Sequence, residues 1–174
     1  MPLRVRSRSR PSTPGYFRAE NEGAGLLEWA ETARRFAAPR NYWVSTSSKT
    51  GRPHAMPVWG VWQGDRFVFS TSPESRKARN LIDNPQVAVH LEDGNVVIVI
   101  EGRAVELRDA AELLAFLDVY NPKYKWNFTP DQVARGVFAV RPEQAFAWLG
   151  GEGEAFGGTA TRWQFEPDSS PTDR

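Results

Sequence analysis

Residues 70–81 read STSPESRKARNL, and this stretch decides the fold that the sequence predicts. It follows two segments with the alternation of β-strands, residues 55–62 and 66–70, and its second half has the composition of a short helix. Ser72 is the expected N-cap, with Pro73 at the first helical position. The stretch therefore marks a junction at which an antiparallel hairpin passes into a helix.

The same junction is suited to binding an anion. The N–H groups at the start of a helix have no partner within the helix, and the helix dipole places positive charge there. Arg76, Lys77 and Arg79 add three cations, and arginine and lysine both bind phosphate. The solvated face of a surface helix is the alternative, but cap, hydroxyls and cations coincide here. We therefore predict a phosphate site at residues 70–81.

The strand that precedes the junction, HAMPVWGVW at residues 54–62, has two features of a binding edge. Pro57 cannot donate to a strand ladder, so this part of the strand is expected to lie beside an opening. Gly60 would let a planar ring approach the backbone closely. A bent edge strand with tryptophans packed into the core is an equally good interpretation. His54 is expected to be a surface hydrogen-bond donor and His90 a core histidine.

Composition excludes several classes of site. The chain has 174 residues, which indicates one domain, and its net charge of +1 argues against binding nucleic acid through bulk charge. It has no cysteine and only two histidines, so we expect neither a disulfide nor a metal centre. No apolar run reaches the roughly 20 residues of a membrane helix, and the first residues lack the pattern of a secretory signal. We expect a cytoplasmic protein without a membrane partner.

The two ends of the chain have the composition of mobile segments. Residues 1–22 carry alternating arginines among serine and proline, and few of their side chains suit a core. A nucleic-acid-binding arm is the alternative, but no aromatic residues interleave with these arginines. We predict a disordered basic arm at 1–22, one domain at 23–166 and a disordered tail at 167–174.

The intervening segments predict a mainly β domain with helices between the strands. Helices are expected at residues 25–38, 73–82, 109–119 and 129–134. Strands are expected at residues 42–46, 55–62, 66–70, 86–91, 96–107, 137–141, 145–149 and 161–165. Consecutive antiparallel strands joined by short turns favour a closed or nearly closed barrel. The seven tryptophans are explained first by core filling, and second by an aromatic wall around a flat ligand or at a subunit interface.

Several short motifs occur in an order that resembles a known family. They are GRPH at 51–54, MPVW at 56–59, FST at 69–71, SRKARNL at 75–81 and NPQV at 84–87. Their order and spacing resemble the pyridoxamine 5′-phosphate oxidase-like split barrels, and most closely the flavin/deazaflavin oxidoreductase branch. The resemblance covers residues 42–107 and the segment 159–165. It implies a six-stranded antiparallel split β-barrel that forms a homodimer, with two identical sites for FMN or the deazaflavin coenzyme F420 at the interface.

The resemblance also implies roles for individual residues. Those expected to meet or flank the cofactor phosphate are Arg76 and Lys77, with Ser70, Thr71, Ser75 and Arg79. Those expected to line the ring system are Met56, Pro57, Val58, Trp59 and Gly60. Those expected to approach from the partner subunit are Trp148, Arg162 and Trp163.

The function that follows from the resemblance is hydride transfer from a reduced cofactor to a small-molecule acceptor. Such a cofactor carries the chemistry itself, so no catalytic side chain is assigned. FMN and F420 are close to even, with a slight preference for the deazaflavin because Trp59 and Arg79 suit its longer, anionic tail. Vitamin B6 oxidation is disfavoured, since the chain lacks the basic, histidine-containing C-terminal segment of those oxidases. The alternative is a non-catalytic protein that stores or sequesters a flavin, a deazaflavin or haem.

Overall fold

The computed structural model describes residues 3–12, 23–150 and 158–167. The strands of this part of the chain are β1 Val5–Ser9, β2 Asn41–Ser47, β3 Pro53–Gln63, β4 Arg66–Ser70, β5 Gln86–His90, β6 Val96–Glu106, β7 Val137–Leu149 and β8 Thr161–Phe165. The helices are α1 Trp29–Ala37, α2 Arg76–Asp83 and α3 Ala110–Tyr124, with a short 3-10 turn at Pro130–Val133.

Six of the strands close into an antiparallel barrel in the order β7-β4-β3-β2-β5-β6, with β6 pairing back onto β7. The predicted six-stranded split barrel is therefore confirmed. Strand β7 makes the split, because its first residues pair with β4 and residues 144–147 pair with β8 along the same edge. The extension β8–β1 thus continues outward from the barrel wall.

Strand β7 also corrects a prediction, since residues 137–141 and 145–149 were expected to be two strands. Pro142 resembles a turn signal, but β7 absorbs the irregularity as a bulge and continues without a break. Glu101 pairs with Gln144 and Gly102 with Pro142, so Glu143 is the extra residue. A β-carbon at Gly102 would lie 2.0 Å from the Arg141 carbonyl oxygen. The close approach of the two strands therefore requires glycine at this position.

The core has two layers. The barrel interior contains large aromatic side chains from β2, β4 and β7, among them Tyr42, Phe67 and Phe138, and Phe36 from α1 packs with them. A second cluster lies outside the barrel wall, where α3 covers β3, β4 and β7. Helix α3 extends beyond the predicted residues 109–119, because its last turns bury Tyr120 and Tyr124 in this second cluster.

The prediction of a disordered arm at residues 1–22 is wrong for Val5–Ser9, which pairs as β1 with β8. An edge strand offers unpaired backbone groups, and β1 satisfies them on β8. The pairing is extended by Glu166 N–H, which donates to the Arg4 carbonyl at 2.9 Å. Residues 1–2, 13–22 and 168–174, on which the predictions of the arm and tail also fall, lie outside the described residues.

Arg10 fixes the end of this N-terminal segment. Its guanidinium donates to the backbone carbonyls of Ala24, Gly158 and Ala160, the last two at 3.1 and 3.4 Å. The predicted helix at residues 25–38 begins only at Trp29, because Gly25 has φ +77° and lies in a turn. Residues 5–10 of the arginine-rich segment are therefore part of the folded domain.

Two classes of feature are missing from residues 3–12, 23–150 and 158–167. None of the helices there has the length and apolar character that a bilayer crossing requires. The same residues hold no group of three or more His, Cys, Asp or Glu side chains arranged to bind a metal ion.

Candidate functional site

The helix at the predicted anion site begins later than expected. Helix α2 starts at Arg76, and its N-cap is Ser75, whose Oγ accepts from Ala78 N–H at 3.2 Å. The predicted cap, Ser72, instead closes a turn in which its carbonyl accepts from Ser75 N–H at 3.0 Å. Because the helix starts three residues later, Arg76 and Lys77 lie in its first turn.

Three side chains converge at the start of α2. The hydroxyls of Thr71 and Ser75 lie 3.1 Å apart, and Lys77 Nζ donates to Thr71 Oγ1 at 3.2 Å. Lys77 is half-buried, and burial lowers its pKa, so its ammonium gains more from an added negative charge than a solvated lysine would. The first turn of α2 contains no acidic residue. The junction is therefore a built cationic and hydroxyl-rich cluster, with Arg76 and Arg79 exposed beside it.

Two residues that sequence reasoning missed hold this cluster in place. Thr71 N–H donates to the Gly136 carbonyl at 2.8 Å, and Gly136 N–H donates to the Glu106 carboxylate at 3.0 Å. Burial raises the pKa of Glu106, but the hydrogen bonds from Gly136 and Arg108 outweigh it and the net pKa is lowered. The local signal was Gly136 directly before a strand, since glycine there marks a position that needs a positive φ.

Among the described residues, no strand pairs with one edge of residues 53–59, in the strand beside the cluster. Strand β2 pairs with β3 from Pro53 to Trp59, whereas β4 pairs with β3 only from Gly60 to Gln63. The opening expected beside Pro57 is thus present. Asn80 of α2 donates to Thr46 Oγ1 at 3.0 Å, and Thr46 pairs with His54, so the first residues of β3 lie near α2. Burial and the charges of Arg76 and Lys77 lower the pKa of His54.

The five predicted ring-lining residues divide into two groups. Met56, Pro57 and Trp59 are exposed, whereas Val58 is buried in the barrel core. Gly60 is also buried, and a β-carbon there would lie 2.3 Å from the Phe67 ring. The glycine therefore admits Phe67 and not a ligand.

The backbone groups of Gly60 are also engaged. Its N–H donates to the Tyr124 hydroxyl at 2.9 Å, and its carbonyl accepts from Lys123 Nζ at 3.1 Å. Lys123 Nζ additionally donates to the carbonyl of Ala37 and the hydroxyl of Tyr42, at 3.0 and 2.9 Å. Burial and the charge of Arg40 lower the pKa of Lys123 to about 8. Lys123 joins α3 to the end of α1 and to β3.

The three residues expected from a partner subunit are not equivalent. Trp163 is fully buried and its ring lies 5.5 Å from that of Trp29, so the prediction that it binds a cofactor conflicts with its place in the core. Arg162 and Trp148 are half-buried on the outer face of β8 and β7. Ser70 pairs with Val137 at the first residue of β7. Trp148 lies at the other end of β7, so the chain does not bring it to its own anion cluster.

A row of paired residues crosses the outer face of the sheet. It runs through Pro57, Trp43, His90, Val99, Phe146 and Arg162 on six successive strands. The rings of Trp43 and His90 stack, with centroids 6.4 Å apart and an interplanar angle of 3°. The prediction that His90 is a core histidine is wrong, because Val87 and Val89 take the inward positions of β5 and alternation turns His90 outward.

A second feature is an aromatic patch formed by Arg40, Trp59, Tyr124, Trp126 and Phe128, in which Arg40, Trp59 and Trp126 are exposed and Tyr124 is buried beneath them. The Trp59 and Tyr124 rings stack with centroids 4.8 Å apart, and the Arg40 guanidinium lies 5.4 and 5.3 Å from their centroids. Trp126 stacks on Phe128 at 5.1 Å. The alternative explanation of the tryptophans as an aromatic wall therefore fits Trp59 and Trp126, and core filling fits Trp163.

Known proteins share this fold. A structure of the conserved protein Rv2991 from Mycobacterium tuberculosis is 21% identical, with a TM-score of 0.64 over 75% of this chain and 90% of that one. The haem storage protein HutZ from Vibrio cholerae is 21% identical, with a TM-score of 0.56 over 70% and 93%. A structure described as an F420 reductase is 24% identical, with a TM-score of 0.50 over 62% and 89%. No curated protein sequence matches the chain.

These identities establish a shared fold and no more. The sequence profile of pyridoxamine 5′-phosphate oxidase matches residues 29–149, a range that includes the anion cluster, the unpaired edge of β3 and all six barrel strands. The chain belongs to the pyridoxamine 5′-phosphate oxidase family.

Proposed function

We propose that this protein is an oxidoreductase that holds FMN or coenzyme F420 between the anion cluster and the unpaired edge of β3. One observation carries the proposal. Thr71, Ser75 and Lys77 converge at the start of α2, directly beside a stretch of β3 that β4 leaves unpaired. Phosphate and a planar ring are the two chemical parts that FMN and F420 share, and this arrangement offers a separate place for each.

The phosphate is held by groups that already point toward each other. The hydroxyls of Thr71 and Ser75 donate to phosphate oxygens, and Lys77 supplies a half-buried point charge. Arg76 and Arg79, which are exposed, close on the phosphate from the solvent side. The dipole of α2 adds to this attraction because its N-terminal turn carries no carboxylate.

The ring system lies along Met56, Pro57 and Trp59, the exposed residues of the unpaired edge. When bound, the flavin or deazaflavin supplies the hydride chemistry, and a small acceptor takes up the hydride together with a proton from solvent. The protein binds and orients the ring and limits the approach of water. No side chain of this chain is assigned a proton-transfer role.

The working unit proposed here is a homodimer in the cytoplasm. The outer-face row that begins at Pro57 ends at Arg162, so a partner copy packed on this face brings its Arg162 and Trp148 toward the ring edge of the first subunit. FMN and F420 remain the two candidates, and Arg79 and Trp59 favour F420 slightly.

Titration of the cofactor-free protein with FMN and with F420 by isothermal calorimetry tests the proposal. We expect tight binding of one of them, and loss of that binding in the double variant Arg76→Ala, Lys77→Ala. The matched control is Arg34→Ala, Arg103→Ala, which removes two cations that are exposed elsewhere on the surface. Unchanged affinity in the first variant, or equal loss in the control, would overturn the anion site.

A non-catalytic carrier is the second candidate, because the anion cluster would equally hold the carboxylates of haem or the phosphate of a stored flavin. In such a carrier, His54, which lies near the charges of Arg76 and Lys77, would hold the haem iron. Stoichiometric haem binding that His54→Ala abolishes, together with no binding of FMN or F420, would replace the oxidoreductase proposal. Reoxidation of the reduced, cofactor-loaded protein by small aromatic acceptors would exclude the carrier.

A further inference from the structure

The aromatic patch exposes two tryptophans on one surface. Trp59 is 36% exposed and Trp126 is 49% exposed, although tryptophan is among the most effective side chains for filling a core. Their rings lie 6.4 Å apart at an angle of 47°. An aromatic pair that is open to solvent in this way presents an apolar surface on which a flat molecule can stack.

The patch is rigid, so it can bind without first being ordered. Trp59 stacks on Tyr124, whose hydroxyl donates to the carbonyl of Arg40 at 2.7 Å. Asn121 fixes the backbone of Phe128, on the other side of the patch. Its side chain accepts from Phe128 N–H at 3.1 Å and donates to the Phe128 carbonyl at 2.9 Å. Trp126 N–H donates to the Asn121 carbonyl at 3.0 Å. Preorganised aromatic rings lose little conformational entropy on binding.

The charge at the patch is positive. Arg40 lies over both Trp59 and Tyr124, and Lys123 Nζ lies 5.5 Å from the Tyr124 centroid. Within the described part of the chain, Arg40 and Lys123 are the cations that lie over its rings. A guanidinium over two rings both stacks and pairs with an acid group. The patch therefore favours a flat aromatic molecule that carries an anionic substituent.

The patch lies next to the turn that leads to the anion cluster, because Gly60 pairs with Phe69 and Trp59 is therefore level with Ser70. Ser70 Oγ donates to the Tyr120 hydroxyl at 3.4 Å, and the Tyr120 ring lies 4.6 Å from that of Tyr124. Trp59 belongs to the unpaired stretch of β3. The patch thus begins where the ring of the proposed cofactor ends.

We infer that the aromatic patch is a binding site for a planar aromatic anion, which stacks on Trp59 and Trp126 and pairs its acid group with Arg40. In assigning this molecule as the hydride acceptor, the inference rests on the proposed function. The binding itself needs only the patch. A single strand of nucleic acid also stacks on aromatic rings, but two exposed tryptophans in a chain of net charge +1 suit a small molecule better.

Three probes of similar size distinguish the contribution of a flat ring to binding from the contribution of a negative charge. They are 2-naphthoate, which is flat and anionic, 2-naphthylmethanol, which is flat and neutral, and cyclohexylacetate, which is anionic but not flat. We expect the cofactor-free protein to bind 2-naphthoate most tightly in calorimetric titrations. Trp59→Leu and Trp126→Leu should each weaken this binding about threefold to tenfold. Arg40→Gln should weaken 2-naphthoate and leave 2-naphthylmethanol unchanged.

Leu114→Ala is the matched control, because Leu114 is exposed on α3 away from the patch. Circular dichroism of each variant excludes unfolding as the cause of lost binding. The inference would be overturned if all three probes bound with equal affinity. It would also be overturned if Trp59→Leu and Trp126→Leu left the affinity for 2-naphthoate unchanged. A single-stranded thymidine oligonucleotide that binds more tightly than 2-naphthoate and displaces it would overturn it as well.

The inference and the proposed function fail in different ways. The variant Arg76→Ala, Lys77→Ala should lose the cofactor and retain 2-naphthoate, since its two positions lie outside the patch. If 2-naphthoate binds as expected but neither FMN nor F420 does, the proposed function fails alone. If a cofactor binds but 2-naphthoate does not, the patch fails alone.

Discussion

Gly136 lies so close to Thr71 that a β-carbon at position 136 would stand 2.2 Å from the Thr71 carbonyl oxygen. Gly136 also has φ +81°, a conformation that residues with a side chain rarely adopt. Its carbonyl accepts from Thr71 N–H, and its own N–H donates to Glu106. The end of β6 and the start of β7 thus position the turn that leads into α2.

Gly136→Ala should destabilise the fold and weaken cofactor binding. The left-handed conformation costs a residue with a side chain about 1–2 kcal/mol, and the contact with Thr71 adds to this unless the turn moves. Urea denaturation measures the first effect and titration with FMN or F420 the second. Gly94→Ala is the control, because no atom lies within 4 Å of the added carbon there. Equal stability of the two variants would contradict the strain argument.

Glu106→Gln should destabilise the same turn and change how the free energy of unfolding depends on pH in the acidic range. The folded-state pKa of Glu106 is lowered from 4.5, so its carboxylate contributes stability above pH 4.5 that is lost as the pH falls through the folded-state value. Glutamine keeps an acceptor for Gly136 but loses the charge that pairs with Arg108. We expect a loss of about 1 kcal/mol near neutral pH.

The difference between wild type and Glu106→Gln should then shrink as the pH falls below 4.5 and through the lowered folded-state pKa of Glu106. Urea midpoints recorded across this range measure it. A constant difference at every pH would show that the ionised form of Glu106 is not what stabilises the fold.

Lys123→Met should change the pH dependence of stability on the alkaline side. The folded-state pKa of Lys123 is lowered from 10.5 to about 8, so between these values the unfolded chain binds the proton and the folded chain does not. The free energy of unfolding contributed by this group therefore rises as the pH rises through that window. The methionine variant should lack this rise.

Denaturation at several pH values between about 7.5 and 9.5 tests this prediction. The range stops short of the tyrosines, because burial raises the pKa of Tyr124 to about 12 and that of Tyr42 further. Lys125→Met is the control, since Lys125 is the exposed neighbour that ends α3. If the free energy of unfolding rises with pH in both variants as much as in the wild type, a group other than Lys123 causes the rise.

Local patterns predicted the barrel strands well because short turn signals separate runs of β-branched and aromatic residues. The bounds of β4 and β8 match the prediction, and both strands place alternate side chains in the core. The same alternation could have placed Trp163 inside, since Thr161, Trp163 and Phe165 all face inward on β8. Residue type suggested a binding role for Trp163, and the phase of the strand decided against it.

The start of α2 could not be predicted from local signals. Ser72 followed by Pro73 and Ser75 followed by Arg76 are both acceptable helix starts. The choice depends on Thr71, which is held by Gly136 from the distant start of β7 and which contacts both Ser75 and Lys77. Likewise, the arginines of β1 read as a mobile arm because β8, the edge that they cover, lies over 150 positions away in the chain.

Phe146→Glu should separate the proposed homodimer and weaken cofactor binding at the same time. Phe146 lies half-buried in the outer-face row between Val99 and Arg162. A second copy that covers this face would take an added carboxylate out of water, a cost that pairing with Arg162 does not cancel. We expect wild type to sediment at twice its chain mass of 19.6 kDa and the variant to sediment as a monomer. Leu114→Glu, on the exposed side of α3, should remain dimeric and bind cofactor normally. A wild-type monomer that binds cofactor fully, or a dimeric Phe146→Glu variant, would show that the site is complete within one chain or that the copies meet elsewhere.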